Sequence, residues 1–294
     1  MNNTSIKYSV IARFVGLLKL IRPKQWVKNG FVVAPLIFSG ELLNSSAISN
    51  ALCAVFLFCV ASSATYIVND LRDIEADKRH PKKSNTRPLA SGLVSKNIAL
   101  ILLGMFYIIL AYGYFVMPNV TLVIIVYLIL NLAYTFFLKD EPVIDIFTIA
   151  IGFVLRVIAG AVALDLEASA WMCVTTLCLA LYLAAVKRRQ ELAQSGVDGR
   201  KVLKKYSIAL VDRYAEMSAT GALLFYSMFV MSARPELVIT IPLVLYGLFR
   251  YWYVVEAFDV GESPTDALLT DWQLMLVVLL WIGACVLALS GVSL

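Results

Sequence analysis

Nine apolar runs, near residues 29–44, 50–69, 98–116, 119–138, 142–163, 170–186, 214–232, 237–253 and 273–292, follow one another down this 294-residue chain with short polar breaks between them. Runs approaching twenty residues suit helices that cross a bilayer; strands would need only about half that length. A backbone buried in hydrocarbon is satisfied only in helices or a closed barrel, so the run lengths select helices. Composition agrees, with 61% apolar residues, 15% charged and a mean hydropathy of +0.82. A plain soluble domain, a disordered chain and a secreted disulfide scaffold are therefore excluded. The first run is short and contains Pro35, which is tolerated where flanking side chains snorkel or the helix joins a bundle. The expected fold is an all-α integral membrane bundle of nine transmembrane helices. Residues 1–28 form a cytoplasmic interfacial segment and 29–294 a single transmembrane domain. Residues 5–22 suggest an amphipathic helix on the membrane surface, and no removable signal peptide is apparent.

Basic residues orient the bundle, because lysine and arginine are retained on the cytoplasmic side. Lys7, Arg13, Lys19, Arg22, Lys24 and Lys28 precede the first run, and Arg72, Lys78, Arg79, Lys82, Lys83, Arg87 and Lys96 follow the second. Lys139 follows the fourth, and a basic stretch from Lys187 to Arg213 follows the sixth. In the opposite loops the only basic residue is Arg234. The N-terminus is thus expected in the cytoplasm and the C-terminus outside a plasma membrane. The net charge of +5 describes one face beside anionic headgroups, and no nucleic-acid partner is expected.

The five cysteines lie inside apolar runs, without a CxxC or neighbouring histidines, and read as small core residues. His80 is the only histidine, which excludes two-histidine metal sites and leaves a Ser/His/Asp triad one candidate base. No phosphate-loop, dinucleotide-binding or nucleophile-elbow motif occurs.

The most informative segment is the end of the second run, where Asn69, Asp70, Asp73, Glu75 and Asp77 gather as a helix leaves the membrane. If the helix continues to Asp77, then Asp70, Asp73 and Asp77 stand at i, i+3 and i+7, and Asn69, Asp73 and Asp77 at i, i+4 and i+8, along one stripe. Carboxylates so close repel unless a cation neutralises them, and a few oxygen ligands suit Mg²⁺ that keeps waters and bridges to phosphate. The residue types predict a magnesium diphosphate site. The bland alternative is a solvated helix end paired with Arg72, Lys78 and Arg79. Downstream, Pro81 and Pro88 break the helix and return the fork-shaped donor of Arg87 over the acids.

Asn69-Asp70-xx-Asp73-xxx-Asp77 followed by Arg87-Pro88-Leu89-Ala90-Ser91-Gly92 resembles the first signature of the UbiA superfamily of intramembrane prenyltransferases. The resemblance implies a helical bundle whose central cavity opens to the cytoplasmic side and the bilayer. It also implies Mg²⁺ held by Asn69, Asp70, Asp73 and Asp77. The family's second aspartate-rich motif is replaced here by Lys187-Arg188-Arg189-Gln190-Glu191, a basic arm in place of an acidic one. Guanidinium and ammonium groups neutralise phosphate oxygens directly, which fits a pocket holding more phosphate than one metal-bound diphosphate.

That departure is similar to the decaprenyl-phosphate phosphoribosyltransferase branch of the superfamily. The agreeing segments are Ile21 to Asn29, Lys139 to Asp145, Gly152 to Gly160, Lys187-Arg188-x-x-Glu191 and Gly261-Glu262-x-Pro264. The resemblance implies transfer of 5-phosphoribosyl from phosphoribosyl diphosphate to a polyprenyl phosphate, with Asp70, Asp73, Asp77 and Arg87 catalytic. Expected substrate contacts are Lys24, Lys28, Asn29, Asn69, Tyr134, Lys139, Asp145, Arg156, Lys187, Arg188 and Glu191. The lipid phosphate is already an anion, so positioning and charge compensation suffice.

Each supporting residue also has a structural reading. Lys24 and Lys28, spaced i, i+4, are headgroup snorkels or a phosphate clamp. Arg156, about one-third from the end of a run, faces a polar cavity or an ion-pair partner such as Asp145 rather than lipid. Tyr134 is a membrane-belt residue or a ligand, and the Lys187 run a topology anchor or a site. Lys204-Lys205-Tyr206 is expected to touch headgroups. Two other functions stay open: prenyl transfer from a prenyl diphosphate to a small aromatic acceptor, disfavoured by the missing second aspartates, and a transporter, disfavoured by the scarcity of ionisable groups at midspan. Oligomeric state is open, and small-residue faces would permit assembly.

Overall fold

A computed structural model describes residues 10–79, 83–195, 201–258 and 264–289. His80, Pro81, Gly261, Glu262 and the first residues of the expected surface helix lie outside them. The described chain is helical throughout: α1 (Val10–Ile21), α2 (Ala34–Ser39), α3 (Ser45–Arg72), α4 (Ile74–Arg79), α5 (Lys83–Thr86), α6 (Lys96–Val116), α7 (Pro118–Phe136), α8 (Ile144–Ala163), α9 (Ala170–Ser195), α10 (Ile208–Ala233), α11 (Ile241–Phe258), α12 (Pro264–Thr270) and α13 (Trp272–Leu289). Five 3₁₀ segments among the described residues, Pro23–Val33, Glu41–Leu43, Leu138–Asp140, Lys201–Lys205 and Pro235–Thr240, join them.

Seven segments among the described residues are long and apolar enough to cross a membrane: α3, α6, α7, α8, most of α9, Pro235–Ala257 and α13. Two of the nine expected runs differ. The run at 214–232 lies in the 26-residue α10, which also carries Asp212, Arg213 and Glu216. The run at 29–44 is irregular, and Pro35 within it lacks the backbone donor that a continuous helix would use. It begins as a 3₁₀ helix that bridges residues 28 and 29, then passes into α2.

That irregular segment is inside the bundle. Pro23–Val33 packs against α3 and α8, and Gly160 on α8 makes the approach feasible, since a Cβ there would stand 2.0 Å from the Val32 carbonyl oxygen. α3 and α8 are the most enclosed of the membrane-length helices, whereas α6 and α13 are the least. The outer helices instead present apolar side chains such as Ile101, Ile108, Phe115 and Ile129, as suits surfaces in contact with acyl chains. α9 packs along α10 and α8, and α11 against α13.

Helix ends are fixed by local chemistry. Asn44 caps α3 by accepting from the Ser46 and Ala47 amides at 3.0 and 3.3 Å, and Ser95 and Ser207 cap α6 and α10. Gly40 and Gly92 occupy left-handed turns at φ 82° and 75°.

Candidate functional site

The charged residues that emerge from α3 are met by cations from three distant parts of the chain. Asp70, 3% exposed, places Oδ1 against the Arg22 guanidinium and 2.5 Å from Arg87 Nη1. Arg22 follows the last turn of α1, with φ 53°, and its guanidinium lies 4.6 Å from the centroid of the Tyr66 ring. Asp70 Oδ2 is buried without a hydrogen-bond partner. Asp73 receives Lys139 Nζ at 3.6 Å, and Asn69 accepts from the Thr135 hydroxyl. Asp77 is buried on α4.

The expected single stripe of carboxylates is interrupted. α3 ends at Arg72, and Asp73 caps it with φ −93° and ψ 8° before α4 begins. The Asp73 and Asp77 amides still donate to Asn69 and Asp73 carbonyls at 3.0 and 2.8 Å. Among the described residues no group of three His, Cys, Asp or Glu side chains is arranged to hold a metal ion; the carboxylates take separate partners, Asp70 with Arg22 and Arg87 and Asp73 with Lys139.

Next to this cluster, Arg156 is 5% exposed and wholly committed to polar and aromatic neighbours. Nε donates to Asn29 Oδ1 at 2.9 Å, Nη1 to the Gly152 carbonyl at 2.7 Å and Nη2 to Tyr127 Oη at 3.1 Å. The rings of Tyr127 and Phe153 lie 4.8 and 5.3 Å away. Asn29 in turn donates to Cys59 Sγ and Ser62 Oγ on α3. Arg156 therefore avoids lipid as expected, but its partner is Asn29 and not Asp145. Eleven residues along one helix separate Asp145 from Arg156 by about 16 Å of rise, beyond a direct pair.

Lys24 and Lys28, read as headgroup snorkels or a phosphate clamp, stand on a 3₁₀ helix and not on an α-helix. In a 3₁₀ helix, three residues complete a turn, so positions four apart diverge by about a third of a revolution. Lys24 is exposed, whereas Lys28 is half-buried near Arg156, Arg22 and Asp266. Burial, helped by the two guanidiniums, pushes its ammonium down to about 8.

A second cluster lies at the end of α9. Arg188, 1% exposed, donates from Nε to Asp145 Oδ2 at 2.7 Å, from Nη1 to Glu191 Oε2 at 2.5 Å and from Nη2 to Tyr134 Oη at 3.2 Å. Lys187 Nζ stands 3.9 Å from Glu191. Arg189 lies 2.8 Å from both Asp212 and Glu256. Tyr206, expected at headgroups, is buried instead: Oη donates to Asp145 Oδ1 at 2.7 Å and accepts from the Val143 amide at 2.6 Å. Burial raises the Tyr206 phenol above its usual range, which keeps it a donor.

Thus Asn69, Asp70, Asp73, Arg87 and Lys139 belong to one contact network, and Tyr134, Asp145, Lys187, Arg188 and Glu191 to another. The segment from Tyr134 to Lys139 connects them. Sequence reasoning left out Arg22, Thr135, Tyr127, Tyr206 and Asp266. Arg22 was legible as part of the basic entrance segment, while Thr135 and Tyr127 carry no signal apart from their place on α7. A recess of about 620 Å³ lies between the α3–α4 junction and the start of α6, lined by Arg72, Glu75, Lys78 and Lys96 over an apolar floor that includes Leu71 and Leu89.

Comparison with known proteins places this geometry in context. The model of the UbiA prenyltransferase family matches residues 32–265. The chain is 35% identical over 283 residues to decaprenyl-phosphate phosphoribosyltransferase of Mycobacterium tuberculosis, covering 91% of this chain and 92% of that protein. It is 33% identical over 290 residues to the protein of the same name from Mycolicibacterium smegmatis, covering 91% and 90%. The solved structure of a UbiA homolog from Archaeoglobus fulgidus bound to GPP and Mg²⁺ shares the fold, with a TM-score of 0.73 at 20% identity over 94% of this chain and 99% of that one.

Proposed function

The chain belongs to the UbiA prenyltransferase family, and on that premise we propose that it transfers 5-phosphoribosyl from phosphoribosyl diphosphate to a polyprenyl phosphate of the decaprenyl type, releasing diphosphate. The observation that carries this reading is the likeness to phosphoribosyltransferases over nine-tenths of the chain. The abundance of cations around the α3 end supports it, because both substrates bring phosphate groups.

Asp73, Asp77 and the open oxygen of Asp70 are the residues we assign to Mg²⁺, with Asn69 orienting the group. The donor set fits: hard carboxylate oxygens, one of them buried and without a partner, suit an ion that keeps waters and takes substrate phosphates as its other ligands. When bound, the metal would offset charge on the departing diphosphate. Arg87 and Arg22 add cationic donors at the same carboxylate, within reach of a diphosphate that enters there.

The lipid phosphate oxygen attacks C1 of the ribosyl group as the bond from C1 to the diphosphate oxygen breaks, with inversion. Its nucleophile is already deprotonated, so the chain needs no general base. Lys28, Lys24 and Lys139 offset the repulsion between two phosphorylated substrates and hold them in line. We place the cluster at the cytoplasmic face, with nine crossings, the N-terminus inside and the isoprenoid lying between apolar helices in a cavity open to the bilayer. The described residues before Pro23 then lie along the inner surface, and the chain enters the bundle from Pro23 onward.

The test is a purified-enzyme assay with radiolabelled phosphoribosyl diphosphate and decaprenyl phosphate, run beside prenyl diphosphate with aromatic acceptors. Label transferred to the lipid, dependent on Mg²⁺, is the expected result. Prenylation of the acceptor with no labelled lipid would overturn the reading.

A further inference from the structure

The basic arm at the end of α9 is neutralised internally. Lys187 and Arg188 carry two positive charges, and Asp145 and Glu191, within 3.9 Å of them, carry two negative ones. Arg188 and Asp145 have side chains only 2% and 0% exposed, so a phosphate could reach that guanidinium only by dismantling a buried ion pair.

What the guanidinium touches is more telling than its charge. Nη2 meets Tyr134 in the last turn of α7, and Nε meets Asp145 in the first turn of α8. Between these two residues runs the connection that carries Lys139 to Asp73 at 3.6 Å. Its far end is also pinned by Tyr206, which receives the Val143 amide where the backbone turns through φ 67°. One planar side chain therefore fastens both ends of the loop that presents Lys139. A fork with fixed donor directions can do this, whereas a single ammonium cannot span the same acceptors.

We propose that Arg188 is a positioning residue: it staples the α7–α8 connection and thereby holds Lys139 against the acidic end of α3, without itself contacting phosphate. The statement about the loop stands on contacts alone; its link to phosphoribosyl transfer rests on the function proposed above.

Two measurements test it on the full-length protein in detergent micelles. The first is acylation of Lys139 by an amine-reactive ester, read by mass spectrometry, in wild type, Arg188→Lys and Tyr134→Phe. Tyr134→Phe removes one hydrogen bond and keeps the buried ion pair, so it remains informative should Arg188→Lys not fold. Several-fold faster labelling of Lys139 in a folded variant is expected; wild-type labelling in Tyr134→Phe would overturn the staple. The second is donor binding by isothermal titration in Arg188→Lys, Lys139→Ala and the double variant. The double variant should bind phosphoribosyl diphosphate no more weakly than Lys139→Ala. Losses that multiply would mean that Arg188 touches the ligand, which would overturn the proposal. Wild type that binds no phosphoribosyl diphosphate would defeat the functional reading alone, and Lys139 labelling would still decide the role of Arg188.

Discussion

At the end of α3, Asp70 and Asp73 are met by Arg22, Arg87 and Lys139, whose side chains remain 23–29% exposed, and Asp70 keeps one oxygen without a partner. At the end of α9, Arg188 is closed between two carboxylates at 2% exposure, and Arg189 is also paired twice. Both are charge runs at helix ends, yet the cations of the first keep solvent-facing surface from which to exchange partners, whereas Arg188 in the second would have to be unpacked. A solvated pair costs little to separate, whereas a buried pair that loses one member leaves an uncompensated charge. Ligand chemistry therefore belongs with the acidic end, and structural fastening with the basic one.

The largest test of that contrast is Asp73→Asn against Asp212→Asn. Loss of a metal-directed carboxylate should lower phosphoribosyl transfer by about 10²–10³-fold, the scale of removing one transition-state stabiliser. Asp212 pairs with Arg189 at a partly exposed position, so its neutralisation should leave turnover largely intact. Equal losses in the two variants, measured as initial rates at saturating lipid, would break the comparison.

A second test asks whether Arg156 belongs with the ligand cluster or with the packing of α8. Arg156→Met leaves Asn29 Oδ1 without its donor and takes one donor from Tyr127 Oη. A stranded buried polar group costs about 1–3 kcal/mol, so the apparent Tm in detergent should fall even without substrate. An unchanged Tm with weaker donor binding would move Arg156 to the ligand side.

Much of this was legible in the sequence. Run length gave helices, and the positions of charge picked out both helix ends. Arg87 does return to the acids, where its guanidinium pairs with Asp70. Other features lay beyond pattern. The helical spacing of Asp70, Asp73 and Asp77 could not reveal that α3 stops at Arg72, nor that the acids would meet Arg22 and Lys139 from distant parts of the chain. The 3₁₀ winding of Pro23–Val33 turned the Lys24–Lys28 pair apart, and its tight seat on Gly160 is visible only in three dimensions. Tyr206 looked like a headgroup contact because its neighbours are lysines, but one aromatic side chain can turn inward while Lys205 stays exposed at 53%.

A smaller effect follows from pH. The Lys28 amine, pushed down to about 8 by burial beside Arg156 and Arg22, loses its charge as pH rises through that value. Donor affinity should weaken above pH 8, by at most about tenfold per unit, and Lys28→Arg should flatten the profile. Stability runs the other way. Folding favours the neutral amine, so this group opposes folding fully below pH 8, and the opposition fades between pH 8 and the ordinary lysine value of 10.5. Affinity that holds steady through pH 9 would remove Lys28 from the phosphate contacts.

The smallest effect is expected at the exposed companion of the Tyr206 contact. Lys205 Nζ lies 3.5 Å from Glu141 Oε2, with side chains 53% and 57% exposed, on the same loop that Tyr206 and Arg188 fasten from inside. If burial decides what an ion pair is worth, Lys205→Ala should shift unfolding by less than about 1 kcal/mol and less still at high salt. Tyr206→Phe, which strips a buried donor from Asp145 and an acceptor from the Val143 amide, should cost more and show little salt dependence. A Lys205→Ala penalty equal to that of Tyr206→Phe would show that the loop is held from its surface, and the division between an exchangeable acidic end and a fastened basic end would lose its physical basis.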